Sequence, residues 1–187
     1  MDNKTNEDLR VRRTHKLLYN ALLDLMEKQP FENITVKQIC DSAMVHRTTF
    51  YTHFNDKFDL LTRALRQIAE EELNIATASI SPSESFKEVF SAAIKHKRLF
   101  SQLLTEERDS LRNLLRREMK AGMMKYLEDN HISIEYNSID LQINLEAYIG
   151  CVLGVLNWWL DNNMPIDQED IYKKLEILTD WNFLNNK

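Results

Sequence analysis

Apolar residues near the start of the chain fall at helical spacing. Leu17, Leu18, Ala21, Leu22, Leu25 and Met26 recur every three or four residues, which predicts a helix over about 8–28 with one buried stripe. Gln29-Pro30-Phe31 ends it, because proline has no amide to continue the ladder. Thr35-Val36-Lys37-Gln38 has the spacing of a capping box, in which the Thr35 hydroxyl covers a free N–H and Gln38 reaches back. Val36, Ile39, Cys40 and Ala43 then make a stripe long enough for about two turns. The chain re-enters a helix near Val45 or His46 and keeps it to about His53, with Phe50 and Phe54 one turn apart on the inner side. Asn55 is expected to cap the following helix, with Asp56 in its first turn. Phe58, Leu61, Ala64, Leu65 and Ile68 are the apolar face of that helix, which should run to about residue 78.

A second group of helices follows. Ser81-Pro82-Ser83-Glu84 places a cap, a first-turn proline and an acid in order, and marks a boundary. Helices are predicted over about 83–96, 97–104, 106–130, 139–162 and 167–184, with 131–137 as a linker. Leu141, Leu145, Tyr148, Ile149, Val152, Leu153, Val155, Leu156, Trp159 and Leu160 cover more of one helix than a single core contact needs. Ile171, Leu175, Leu178, Trp181 and Leu184 add another stripe, and Gly150 and Gly154 would admit a close neighbour. The chain therefore divides into 1–55, a connecting helix over 56–78, and 79–187, and its class is all-α.

Composition agrees. Only three glycines and three prolines occur in 187 residues, too few for a protein built from many short strands and turns. The charged Met1–Arg13 segment has no apolar core of a secretory leader, and no window is expected to approach a membrane span, so the cytoplasm is the expected location. Cys40 and Cys151 stand apart in apolar surroundings and read as reduced core residues. The five histidines show no ligand spacing, and no nucleophile elbow, phosphate loop or metalloprotease pattern occurs, so neither an enzyme nor a metal or cofactor is expected.

Charge changes the picture. The net value is −5, but residues 1–66 carry eleven Lys+Arg against nine Asp+Glu, while the rest carries thirteen against twenty. The first third alone is thus suited to a polyanion. Arg10, Arg12, Arg13 and Lys16 cluster at the start of the first helix, where cations oppose the helix dipole. The segment His46 to His53 holds His, Arg, Thr and Tyr side chains and no acid, whereas a plain solvated face would mix in Glu. Two short helices braced by a long one are the helix-turn-helix plan.

Residues Ile34 to Leu61 closely resemble the signature of the TetR family. Ile39, Ala43, Val45, Thr49, Phe50, Tyr51, Phe54, Lys57 and Leu60-Leu61 occupy the matching places. Met44 departs from it, standing at a turn position usually filled by glycine. The resemblance implies an N-terminal three-helix helix-turn-helix domain joined to a helical ligand-binding and dimerisation domain. It implies that Lys37, His46, Arg47 and Thr48 face base edges, and that Thr35, Thr49, Tyr51, His53 and Lys57 hold the phosphate backbone. Capping is the simpler account of Thr35, and the Tyr51 ring can pack while its hydroxyl reaches out. The resemblance further implies a homodimer through the last two helices on palindromic double-stranded DNA, with the two recognition helices about 34 Å apart. Tyr148 to Pro165 is more loosely similar to regulators of the dihydroxyacetone-kinase activator group. An effector pocket would be lined by Phe90, Phe100, Met123, Tyr126, Tyr148 and Trp158, for which core packing is the competing account. The functional expectation is a dimeric DNA-binding repressor modulated by a small-molecule effector or a partner protein. A helical adaptor of the same fold is the alternative.

Overall fold

The computed structural model describes residues 2–72, 82–105, 109–130 and 138–179, with side chains placed at 9–68, 86–105, 111–130 and 138–179. Among the described residues there are nine α-helices and no strand, so the all-α expectation holds. The chain forms two compact units, Met1–Gln67 and Ile68–Lys187.

The first unit comprises α1 (Asp2–Met26), a 3-10 turn (Phe31–Asn33), α2 (Val36–Ala43), α3 (Arg47–His53) and the start of α4 (Lys57–Glu72). Helix α1 begins earlier than its apolar stripe, because nothing from Asp2 to Glu7 breaks a helix. Leu18, Leu22, Met26, Phe31, Ile34, Ile39, Phe50, Phe54, Leu60 and Leu61 are buried and form one core. The Thr35 capping box is present. Gln38 N donates to Thr35 Oγ1 at 3.2 Å, and Thr35 N donates to Gln38 Oε1 at 2.8 Å. The cap of α4 differs from expectation by one residue. Asp56 Oδ1 accepts from the amides of Phe58 and Asp59 at 2.8 Å each, while Asn55 N donates back to Asp59 Oδ2 at 3.0 Å. The Asp59 carboxylate thus returns to the residue before the cap, not to the cap's own amide as in a capping box.

Between α2 and α3, Met44 takes a left-handed backbone (φ 54°, ψ 39°), as the turn position suggested. Its amide donates to Asp41 O and Cys40 O, and its side chain is 92 % exposed. A Cβ in this region costs about 1 kcal/mol, and so exposed a side chain recovers little by packing. Met44→Gly should therefore raise the urea midpoint by a stability gain of about 1 kcal/mol, and a lower midpoint would mean that the methionine packs more than its exposure indicates.

The second unit contains α5 (Pro82–Lys95), α6 (Lys97–Leu104), α7 (Asp109–Asp129), α8 (Ile139–Asp161) and α9 (Gln168–Leu178). Helix α6 packs on α5, α7 and α8, α7 packs on α8, and α9 lies on α5. Ser138 and Asp167 cap α8 and α9 with their side chains. The Trp159 indole is buried and donates to Ile166 O at 2.9 Å, which pins the chain as it leaves α8. Tyr172 donates to Lys87 O at 2.9 Å and ties α9 to α5. Ser81, the linker 131–137, Trp181 and Leu184 lie outside the described residues.

Two expectations change here. Helix α8 is long and apolar enough, by length and composition, to cross a membrane. Yet its Glu146 accepts from Lys120 at 2.9 Å and from Arg116, both on α7, and these two cations hold its carboxyl below the usual range. Cys40 is buried as expected, but Cys151 is only half-buried. Burial raises both thiols above their ordinary value.

Candidate nucleic-acid interface

Helix α3 is anchored by one side chain, Phe50, which is fully buried and packs at 5.6 Å between centroids against Phe54. Almost everything else on it points outward. His46, Arg47, Thr48, Tyr51 and Thr52 are exposed, Thr49 and His53 half-buried, and Lys37 of α2 is exposed as well. The Tyr51 ring meets Phe50 edge-on at 5.3 Å and is still 52 % exposed, so it packs and reaches solvent together. The exposed Thr52 hydroxyl bends back along its own helix and donates to Thr48 O at 3.0 Å. Arg10, Arg12, Arg13 and Lys16 are exposed along α1. The result is a short helix presenting hydrogen-bonding groups, one fixed cation and no carboxylate, which is what base edges and phosphates require.

Two of the expected phosphate holders are already engaged. The Lys57 ammonium donates to Phe31 O (2.8 Å), Glu32 O (2.9 Å) and Ile34 O (2.8 Å), which uses all three of its protons. It also sits 4.6 Å from the centre of the Phe31 ring. Burial lowers its ammonium from the ordinary value, with Glu32 opposing. Lys57 is thus a clasp on the turn that precedes α2 rather than a free phosphate donor. Thr35 donates its hydroxyl to Gln38 Oε1 at 3.0 Å, so its proton too is committed.

A feature the sequence did not reveal lies behind α3. His15 of α1 meets His53 at 4.9 Å between ring centroids, nearly perpendicular, and Phe54 at 4.9 Å. The contact joins positions 38 residues apart, so no local pattern could disclose it. Burial, then His53, then Arg63 lower the His15 imidazole from its ordinary 6.5. In the unfolded chain His15 takes its proton near 6.5, and in the folded chain only at lower pH. Folding stability is therefore unaffected above that range and falls as pH drops through and below 6.5. His15→Phe should flatten the acid side of a stability profile measured by urea melts between pH 5 and 7, and an unaltered profile would remove His15 from its causes.

The expected pocket residues are dispersed in role. Phe90, Phe100, Met123 and Tyr148 are buried, Tyr126 is half-buried, and Trp158 is 51 % exposed on the outer side of α8. Phe90 packs tilted on Trp159 at 5.4 Å and edge-on against Tyr172 at 6.1 Å, so ordinary packing accounts for it. It is Trp159, not Trp158, that faces inward.

Comparison with known proteins places these features. Residues 18–64 match the profile of bacterial regulatory proteins of the tetR family, and residues 81–180 match that of a transcriptional regulator C-terminal region. An uncharacterized HTH-type transcriptional regulator of Bacillus subtilis, YxbF, is 37 % identical over 83 residues, which is 43 % of this chain and only 22 % of that protein's length. The transposon Tn10 TetC protein of Escherichia coli is 25 % identical over 169 residues, covering 85 % of this chain and 82 % of its own. Among solved structures, a TetR transcriptional regulator from Streptococcus agalactiae has the same fold (TM-score 0.66, 20 % identity, 95 % of this chain and 99 % of that one). So does the dihydroxyacetone kinase operon activator DhaS (TM-score 0.62, 16 % identity, 89 % and 93 %). With one profile spanning the α2–α3 pair and the other more than half of the sequence, the chain belongs to the tetR family of DNA-binding transcriptional regulators.

Proposed function

We propose that the protein is a homodimeric repressor acting in the cytoplasm, which reads a palindromic operator with α3 and dimerises through α8 and α9. The observation that carries this reading is the outer surface of α3, where Arg47, Thr48 and Tyr51 are exposed beside His46 and no acid intervenes. Lys37, His46, Arg47 and Thr48 are assigned to base edges, and Thr49, Tyr51 and His53 to phosphates. Lys57 and Thr35 act behind them by holding the start of α2.

The dimer assignment rests on α8. Ile139, Ile143, Ala147, Gly150, Gly154 and Trp158 recur at three to four residues and are exposed, and Ile177 and Leu178 of α9 are exposed too. Among the described residues, nothing outside the helix's own adjacent backbone lies within 4 Å of a Cβ built on Gly150 or Gly154, which leaves room for a second helix to approach closely. An apolar stripe of this length is unusual on a monomer surface.

Fluorescence anisotropy on duplexes drawn from the DNA around the coding sequence, over a salt series, tests the reading. Binding should weaken steeply with salt as phosphate contacts release counterions. Arg47→Ala should cost about 1–3 kcal/mol on the operator and little on mixed sequence, whereas equal losses on both would make Arg47 a phosphate contact. Flat curves at low salt would leave the helical-adaptor alternative in its place.

A further inference from the structure

His15 is not among the residues assigned to DNA. Yet its Nε2 is the one buried side-chain polar atom, among the described residues, with no hydrogen-bond partner. Such an orphan is unusual, because an unsatisfied buried polar atom costs free energy that a folded protein normally avoids. The side chain beside it is His53, whose ring centre lies 4.9 Å away. Imidazoles joined by an N–H···N bond have ring centres about 5 Å apart, so the two rings already stand at bonding distance and differ from it in orientation alone.

We propose that His15 is a positioning residue for the DNA contact of His53: its buried Nε2 bonds the inner nitrogen of His53 when the outer nitrogen of His53 donates to a backbone phosphate. This rests on the reading of His53 as a phosphate contact.

Donor counting supports the pairing. A neutral imidazole has one N–H and one lone pair, and an imidazolium has two N–H groups. If His53 is neutral, its outer N–H serves the phosphate and its inner lone pair accepts from His15. If His53 is charged, both of its N–H groups donate, one to the phosphate and one to His15. An uncharged His15 serves both states, because it can present a donor or an acceptor according to its tautomer. The surroundings hold it uncharged. The charged and titratable groups that meet His15 are His53 from α3 and Arg63 from α4, with Asp59 bonded to Arg63 at 3.0 Å, and Tyr19 one turn along α1 with its ring at 6.0 Å. The Phe54 ring packs on His15 at 4.9 Å, and the orphan nitrogen is buried. The phosphate thus completes a chain of bonds that is one partner short in the free protein, and His53 meets the DNA in one fixed orientation instead of several.

A double-mutant cycle on the full-length protein tests this, read as anisotropy on a labelled mixed-sequence duplex at low salt, where phosphate contacts dominate. His15→Phe keeps a ring and removes the polar atom, and should weaken binding about fivefold. His15→Gln restores a group at the Nε2 position that can donate or accept, and should bind within about twofold of the parent. In a His53→Ala background, His15→Phe should have no further effect on affinity. Equal losses in the Phe and Gln variants, or a full loss persisting without His53, would overturn the proposal by showing that His15 acts through packing. If His53→Ala alone leaves affinity unchanged, the phosphate contact itself is wrong, which is a separate result. Urea midpoints of each variant confirm folding, and His15→Leu takes the place of His15→Phe if the latter does not fold.

Discussion

Gly154→Glu is expected to turn the proposed dimer into a folded monomer with much weaker hold on its operator. The site is exposed on α8, and a Cβ there meets nothing among the described residues beyond its own helix. Within the helix the change is favourable, since glycine is a poorer helix former than glutamate by about 1 kcal/mol. Across a two-fold axis the same side chain would bring two carboxylates and their hydration into an apolar contact, which costs several kcal/mol at an interface of ordinary size. Losing the second recognition helix removes the gain from joining two half-sites, roughly a factor of 10²–10⁴ in operator affinity. Sedimentation should show half the parent mass, and anisotropy should show weakened operator binding. A variant that remains dimeric would move the interface away from this face of α8.

Lys57→Ala unfolds the first unit more easily, by about 3 kcal/mol. The variant leaves the carbonyls of Phe31, Glu32 and Ile34 without their shared donor and removes the cation from the Phe31 ring. The exposed Glu32 carbonyl recovers water and the part-buried two recover less, which keeps the loss below the sum of three charged hydrogen bonds. Lys57→Arg should not restore stability, because a planar guanidinium cannot aim three protons from a single atom at three converging oxygens. Urea denaturation followed by circular dichroism reads both variants. Unchanged stability with a salt slope reduced by about one would instead return Lys57 to the phosphate contacts.

The sequence carried the helix-turn-helix well because its determinants are local. The Thr35–Gln38 box, the Phe50–Phe54 pair and the left-handed Met44 each depend on residues within a few positions. What it obscured were partners chosen by tertiary packing. Lys57 matched a family position, but only the fold brings its ammonium to the turn 23 to 26 residues earlier. Asp56 and Asn55 are both good caps, and the entry angle of α4 decides between them. Trp158 and Trp159 are indistinguishable by composition, and one residue of helical rotation sends one indole to the core and the other to the surface. His15 was legible only as a polar residue beside an apolar stripe. The proposed dimer face was visible as an excess of apolar residues on α8, although which of them stay exposed is set by α6 and α7 covering the other side.

Helix α8 also bears on how the chain is made. Synthesis runs from the N-terminus, so α6 and α7, on which α8 packs, have left the ribosome before it emerges. Its most apolar side thus finds a waiting surface, and Glu146 finds Arg116 and Lys120 already in place. A nascent helix apolar enough for a bilayer is expected to pack on its own upstream neighbours as it emerges. Moving α8 ahead of α6 by circular permutation would reverse that order, and would expose the growing chain to aggregation and to membrane-targeting factors although every native contact is retained.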